Sequence, residues 1–161
     1  LLLTITKRNK NILMTGMCSF GLMSVVVQSM KRILITHQLR PTLLIPPDTP
    51  LHLVEGIQHH THLSFPSGHA ATIFAAVCLV QLWSSRRSYW LAMLLLFGAV
   101  VVAYARVYLC QHFYQDIYVG ALLGTLSTTL VYAVLKEEKN LDKLIQQLLA
   151  SWLEKLKSKT R

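Results

Sequence analysis

Four apolar stretches almost free of charge constrain this chain more than any other feature. Residues 12–30, 65–83, 89–109 and 117–135 each run for 19 to 21 residues. A hydrocarbon core about 30 Å thick is crossed by about 20 helical residues. Arg106, near the end of the third stretch, is the only Lys, Arg, Asp or Glu in any of them. A helix packed on a soluble core carries a polar stripe, and these do not. A chain of 161 residues is too short to wrap four such helices in protein. Composition agrees, with 53% hydrophobic and only 14% charged residues. The expected fold class is therefore all-α: an integral membrane helical bundle with four transmembrane helices, occupying residues 1–135, followed by a C-terminal tail over 136–161.

The charges sort by side. Lys7, Arg8 and Lys10 precede the first span, Arg86 and Arg87 join the second to the third, and seven more basic residues follow the fourth. With four crossings these regions share one side and hold 12 of the 16 basic residues. The positive-inside rule makes that side cytoplasmic. The opposite side receives Lys31, Arg32, Arg40 and Arg106. It also receives all seven histidines: His37, His52, His59, His60, His62, His69 and His112. Four basic residues that break the charge rule need another reason to be there, and anion binding supplies one. A net charge of +9 ordinarily suggests nucleic acid. No basic patch here alternates with aromatics, so no nucleic-acid partner is expected.

The remaining features are mostly architectural. Cys18, Cys78 and Cys110 are odd in number and widely spaced, which fits neither a disulfide framework nor a zinc site. The chain opens LLLTITKRNK, which looks like the end of an apolar segment and not a signal peptide, so upstream sequence is expected. Four prolines break the loop 31–64, and residues 51–63 read as a short strand or hairpin. Gly120 and Gly124 are four apart, a spacing that lets membrane helices approach closely. In the tail, Leu141, Leu144, Ile145, Leu148, Leu149, Trp152, Leu153 and Leu156 recur at helical spacing among Lys and Glu. That pattern predicts an amphipathic helix lying in the membrane interface, or a short helix pairing with a partner.

Three short pieces converge on the outer face. The first is KRILITHQLRP, residues 31–41. The second is FPSGH, residues 65–69, entering the second span. The third is ARVYLCQHFYQD, residues 105–116, linking the third and fourth. In the second piece Ser64 is a plausible N-cap and Pro66 suits the first helical turn. The N–H groups of Ser67, Gly68 and His69 would then form an anion site at the positive end of the helix dipole. In the third, His112 and Asp116 are four apart and share a helix face. A carboxylate on one ring nitrogen fixes the tautomer and raises the basicity of the other, which suits a nucleophile, although a purely structural His–Asp pair has the same spacing. Arg106 adds a fork for phosphate oxygens.

Taken together, the three pieces resemble the type 2 phosphatidic acid phosphatase (PAP2)/vanadium haloperoxidase superfamily, and its bacterial membrane-bound lipid phosphatase branch in particular. The family pattern is a Lys…Arg-Pro motif, then Pro-Ser-Gly-His, then an Arg followed by a spaced His and Asp. Pro66-Ser67-Gly68-His69 is complete, and Arg106, His112 and Asp116 keep the spacing. The resemblance covers about residues 25 to 135. Two departures stand out. Lys31 lies nine positions before Arg40 and Arg32 eight, a longer interval than the family's, and Ala105 occupies a position where the family has serine. The chain is also N-terminally short relative to the family's six-helix membrane core.

The resemblance implies a metal-independent lipid phosphatase. Lys31, Arg40, Ser67, Gly68 and Arg106 would bind phosphate, with Arg32 as the alternative to Lys31. His112 would be the nucleophile that forms a phosphohistidine, Asp116 would orient it, and His69 would be the general acid. No cofactor is implied, and vanadate would inhibit as a phosphate mimic. His59, His60 and His62 match no firm zinc spacing, so no metal site is expected. The partners would be a lipid phosphate or diphosphate and the membrane itself. The location would be a bacterial inner membrane with the site on the periplasmic face and the C-terminus in the cytoplasm. Two other readings are a non-catalytic PAP2-like membrane module and a vanadate-dependent haloperoxidase.

Overall fold

The structure, a computed structural model, describes residues 2–35, 38–44, 46, 62–84 and 88–159. The described residues form helices and connecting segments, with no strand among them. Helix α1 (Leu2–Ser29) runs into a π-helical turn (Met30–Leu34). The single-turn α2 (Pro41–Leu44) follows, then α3 (Gly68–Trp83), α4 (Tyr89–Tyr108) and α5 (Tyr114–Lys159). The expected strand or hairpin over 51–63 falls almost wholly outside the described residues, as do His37, His52, His59 and His60.

Among the described residues, three segments are long and apolar enough to cross a membrane: Lys10–Ile33, Tyr89–Tyr108 and Tyr114–Glu138. The fourth apolar helix, α3, is shorter than the sequence suggests. It has 16 residues, about 24 Å at the helical rise. Its N-cap is Ser67 and not Ser64: the Ser67 hydroxyl accepts from the N–H of Ala70 at 3.4 Å. Pro66 consequently precedes the cap instead of occupying the first turn. At the other end of the chain the tail is not a separate element. Residues 136–159 continue α5 without a break, since neither Gly nor Pro interrupts a run rich in Leu, Lys, Glu and Gln. The apolar face expected there lies on side chains mostly outside the described residues.

Helix α3 lies at the centre of the bundle, packed against α1, α4 and α5, whereas among the described residues the backbones of α1 and α4 do not approach each other closely. Small residues make the central contact possible. Ala70, Ala71 and Ala75 are fully buried. A Cβ at Gly120 would strike the carbonyl oxygen of Ser67, and one at Gly124 would strike that of Ala71. The two glycines therefore let α5 lie directly on the backbone of α3. Met23, Val27 and Ala71 form a core that Phe20 and Leu123 extend. Three hydroxyls within the spans are satisfied locally: Thr15, Thr125 and Thr128 each donate to the carbonyl four residues earlier, at 2.8 to 3.0 Å.

Helix α4 shows what surrounds the bundle. Trp90 is 82% exposed and Phe97 67%, and Met93, Leu94 and Val100 are exposed beside them. So much apolar surface is an aggregation hazard in water and an ordinary contact with lipid. The protein is an integral membrane protein.

Candidate active site

One end of the bundle holds a cavity of about 800 Å³ between α1, α3 and α4. Lys31, Arg40, Gly68, His69, Arg106 and His112 all line it, so six of the eight residues singled out in the sequence meet there. The two that do not are Ser67 and Asp116. Both are fully buried behind the wall.

Each cation arrives by a distinct local device. Lys31 sits in the π-helical turn, closed by the N–H of Ile35 donating to the carbonyl of Met30 at 2.9 Å. The Lys31 ammonium donates to the carbonyl of Leu63 at 3.1 Å, and Arg32 is exposed away from the cavity. Lys31, and not Arg32, therefore faces the site. Arg40 donates to the carbonyls of His62 and Gln111, both at 3.2 Å. Arg106 lies in the last turn of α4, where its guanidinium donates to the side-chain oxygen of Gln111.

These partners are neutral carbonyl groups. Three cations therefore converge with no salt-bridged carboxylate among the described residues to neutralise them. Arg40 is pushed below its ordinary pKa first by burial and then by the positive charge of Arg106. An anion entering the cavity would relieve both effects.

The chain reverses sharply between α4 and α5. Leu109, Cys110, Gln111 and His112 fold back with N–H bonds to Ala105, Val107 and Arg106 carbonyls, at 2.9 to 3.2 Å. Cys110 adopts the left-handed conformation at φ 53°, the usual end of a helix but an unusual place for a residue other than glycine. This turn delivers Gln111 and His112 to the cavity. His112 precedes α5, so it meets Asp116 by a route other than a shared helix face. Asp116 occupies the first turn of α5 and its carboxylate reaches back over the helix start. One oxygen, Oδ2, accepts from the N–H of Phe113 at 2.9 Å and from the Ser64 hydroxyl, and lies 3.3 Å from His112 Nδ1. The bond to Phe113 is half of a capping box. Anchored at three points, the carboxylate fixes the imidazole. With Nδ1 held by Asp116, Nε2 is the nitrogen left for chemistry. Burial holds the His112 pKa below its ordinary value, against the upward pull of the Asp116 hydrogen bond. The ring is thus neutral at neutral pH.

The helix start differs from the expected cradle in one respect. The N–H of Ser67 donates to the carbonyl of Asp116 at 2.9 Å, and its hydroxyl caps Ala70. Ser67 thus ties α3 to α5 and its N–H is not free for an anion. Gly68 and His69 remain at the cavity wall, and the space beside Gly68 is open, with no atom within 4 Å of a Cβ built there. No group of three metal-ligating side chains occurs among the described residues.

One residue, Gln111, was not expected from the sequence, and another, Ser64, was expected in a different role. Gln111 links both guanidiniums, through its main-chain carbonyl to Arg40 and its side chain to Arg106. Ser64 binds the carboxylate of Asp116 in place of capping α3. The only signal for Gln111 was its place beside His112; for Ser64, a hydroxyl just before the FPSGH run.

The fold and site define a helical membrane domain with a histidine–carboxylate pair set among cations at one end. The chain belongs to the PAP2 superfamily, whose family model matches residues 10–140. It is 34% identical over 124 residues to an undecaprenyl-diphosphatase of Sulfolobus acidocaldarius, a match covering 77% of this chain and 55% of that protein. The chain thus spans about half the length of that relative. The crystal structure of Aquifex aeolicus LpxE superposes with a TM-score of 0.62 at 26% identity, covering 82% of this chain and 73% of that one.

Proposed function

We propose that this protein is a membrane-bound, metal-independent phosphatase that hydrolyses a lipid phosphate or diphosphate through a phosphohistidine. The observation that carries the reading is His112, backed by Asp116, opening onto a cavity that Lys31, Arg40, Arg106 and His69 also line. Membership of the PAP2 superfamily and the likeness to an undecaprenyl-diphosphatase support it.

The three cations and the N–H groups of Gly68 and His69 bind the phosphoryl oxygens. His112 Nε2 attacks phosphorus as the ester oxygen departs. Asp116 steadies the positive charge that develops on the imidazole, as a fixed charge does in a preorganised site. His69 gives its proton to the leaving alkoxide. It then takes a proton from water, whose oxygen attacks the phosphohistidine. Inorganic phosphate leaves and both histidines are restored. The cationic cluster does the charge-stabilising work that metal ions perform in many phosphoryl transfers.

The positions of the basic residues favour an extracytoplasmic site, with the link 84–88 and the C-terminal tail on the cytoplasmic side. The test is phosphate release from short-chain phosphatidic acid in detergent. Turnover that persists in EDTA, stops with vanadate and disappears in His112→Ala supports the reading. Undiminished turnover in His112→Ala refutes it.

A further inference from the structure

Beneath the cations, the cavity wall carries polar groups that the chemistry leaves unused. Gln28 lies three residues before Lys31, Ser24 four before Gln28, and Thr72 three after His69. All three line the same cavity. At about 1.5 Å per residue, Gln28 and Thr72 sit about 4.5 Å below the cationic level, and Ser24 about 10 Å below it. Below and around them the wall is apolar, with Val27, Ile73 and Val102.

These groups differ from the threonines that are satisfied within their helices, and from Ser19, whose hydroxyl is unpartnered but fully buried and does not line this cavity. Thr15, Thr125 and Thr128 bond back to their own helices. Ser24, Gln28 and Thr72 are exposed and have no hydrogen-bond partner among the described residues. An amide and two hydroxyls at membrane depth require partners, which water would supply in the absence of lipid. A lipid that displaces this water must replace its hydrogen bonds or bind more weakly. No cation accompanies the three, so the matching group is uncharged.

We infer that Gln28, Thr72 and Ser24 form a neutral hydrogen-bonding subsite that selects phosphates of acylated polyols. In such lipids, hydroxyl or ester oxygens sit on the carbon beside the phosphate-bearing one. This places them a few ångströms from phosphorus, at the level of Gln28 and Thr72. A polyisoprenoid chain carries no oxygen there and leaves the subsite unsatisfied. The inference builds on the proposed phosphate site and narrows its substrate. Glycerol and sugar backbones supply the same chemistry.

The test measures binding of three non-hydrolysable phosphonates to the full chain in detergent: a dioctanoylglycerol phosphonate, an acylated glucosamine 1-phosphonate and farnesyl phosphonate. At least one polyol ligand should bind roughly tenfold or more tightly than farnesyl phosphonate, given about a factor of ten per well-made hydrogen bond at the upper end. The tighter of the two identifies the backbone. In Gln28→Leu/Thr72→Val the polyol-to-farnesyl ratio should fall toward one. Equal or tighter farnesyl binding in the wild type overturns the inference without reference to any variant. So does a double variant whose ratio is unchanged. Hydrolysis is scored separately. A selective but inactive protein refutes the phosphatase reading alone, and an active protein without selectivity refutes the subsite alone.

Discussion

Replacing Asp116 with asparagine tests how the site holds His112, the proposed nucleophile. Oδ2 serves the Ser64 hydroxyl and the Phe113 N–H and faces His112 Nδ1 at 3.3 Å. Asp116→Asn nearly preserves shape but removes the charge that steadies the imidazolium formed during attack. Two unit charges about 4 Å apart at an effective dielectric of about 20 interact by about 4 kcal/mol. Losing that in the transition state alone lowers kcat by about a thousandfold. The ground state suffers less. A charge-assisted hydrogen bond contributes about 1 kcal/mol more than a neutral one, so two fixed bonds suggest a stability loss of about 2 kcal/mol. The assay pairs phosphate release from short-chain phosphatidic acid with thermal unfolding in the same detergent. Ser64→Ala is the companion: it removes one anchor but keeps the charge, and kcat should fall by only about tenfold. If Asp116→Asn remains folded and retains kcat within tenfold of wild type, the carboxylate does not steady the nucleophile and the reasoning fails.

Three further outcomes follow from the same geometry. Because burial holds His112 below the ordinary imidazole pKa, the free base that the proposed attack requires predominates at neutral pH. The acidic limb of kcat/KM should therefore fall below the usual imidazole value, and a limb above it would contradict the assignment. His69→Gln should lower phosphatidic acid turnover by a factor of about 10² to 10⁴ but have a smaller effect on p-nitrophenyl phosphate, whose leaving group needs no proton. Equal losses on both substrates would argue against a general acid. Gly124→Leu should separate α5 from α3, since even a Cβ there would lie 3.0 Å from the Ala75 nitrogen. A loss of about 1 to 3 kcal/mol, read as a lower unfolding temperature, is expected, and a neutral result would discount the helix contact.

Much of this was legible in the sequence because membrane helices advertise themselves by length and lack of charge. The third and fourth spans begin close to where the apolar runs do. The ends were less legible. Whether α3 starts at Phe65 or Gly68 depends on which serine caps it, and Ser64 was drawn away by a carboxylate more than fifty residues distant in sequence. Likewise the end of α5 was hidden because nothing in residues 136–159 breaks a helix. Motif spacing brought Lys31, Arg40, Gly68, His69, Arg106 and His112 to one cavity. It did not show that the Ser67 N–H would be taken by Asp116, nor that Gln111 would link two arginines. The Ser67–Asp116 bond and the Arg40 bond to Gln111 fall on main-chain groups of distant segments, which a one-dimensional pattern of side-chain identities does not record.

The central claim is that phosphate passes through a covalent bond to His112, and rapid quenching with a ³²P-labelled lipid phosphate tests it directly. The account predicts label on the protein that is stable in alkali, lost in acid, located on His112 and absent from His112→Ala. Steady turnover with no trapped label under any quench, or label on another residue, would contradict it.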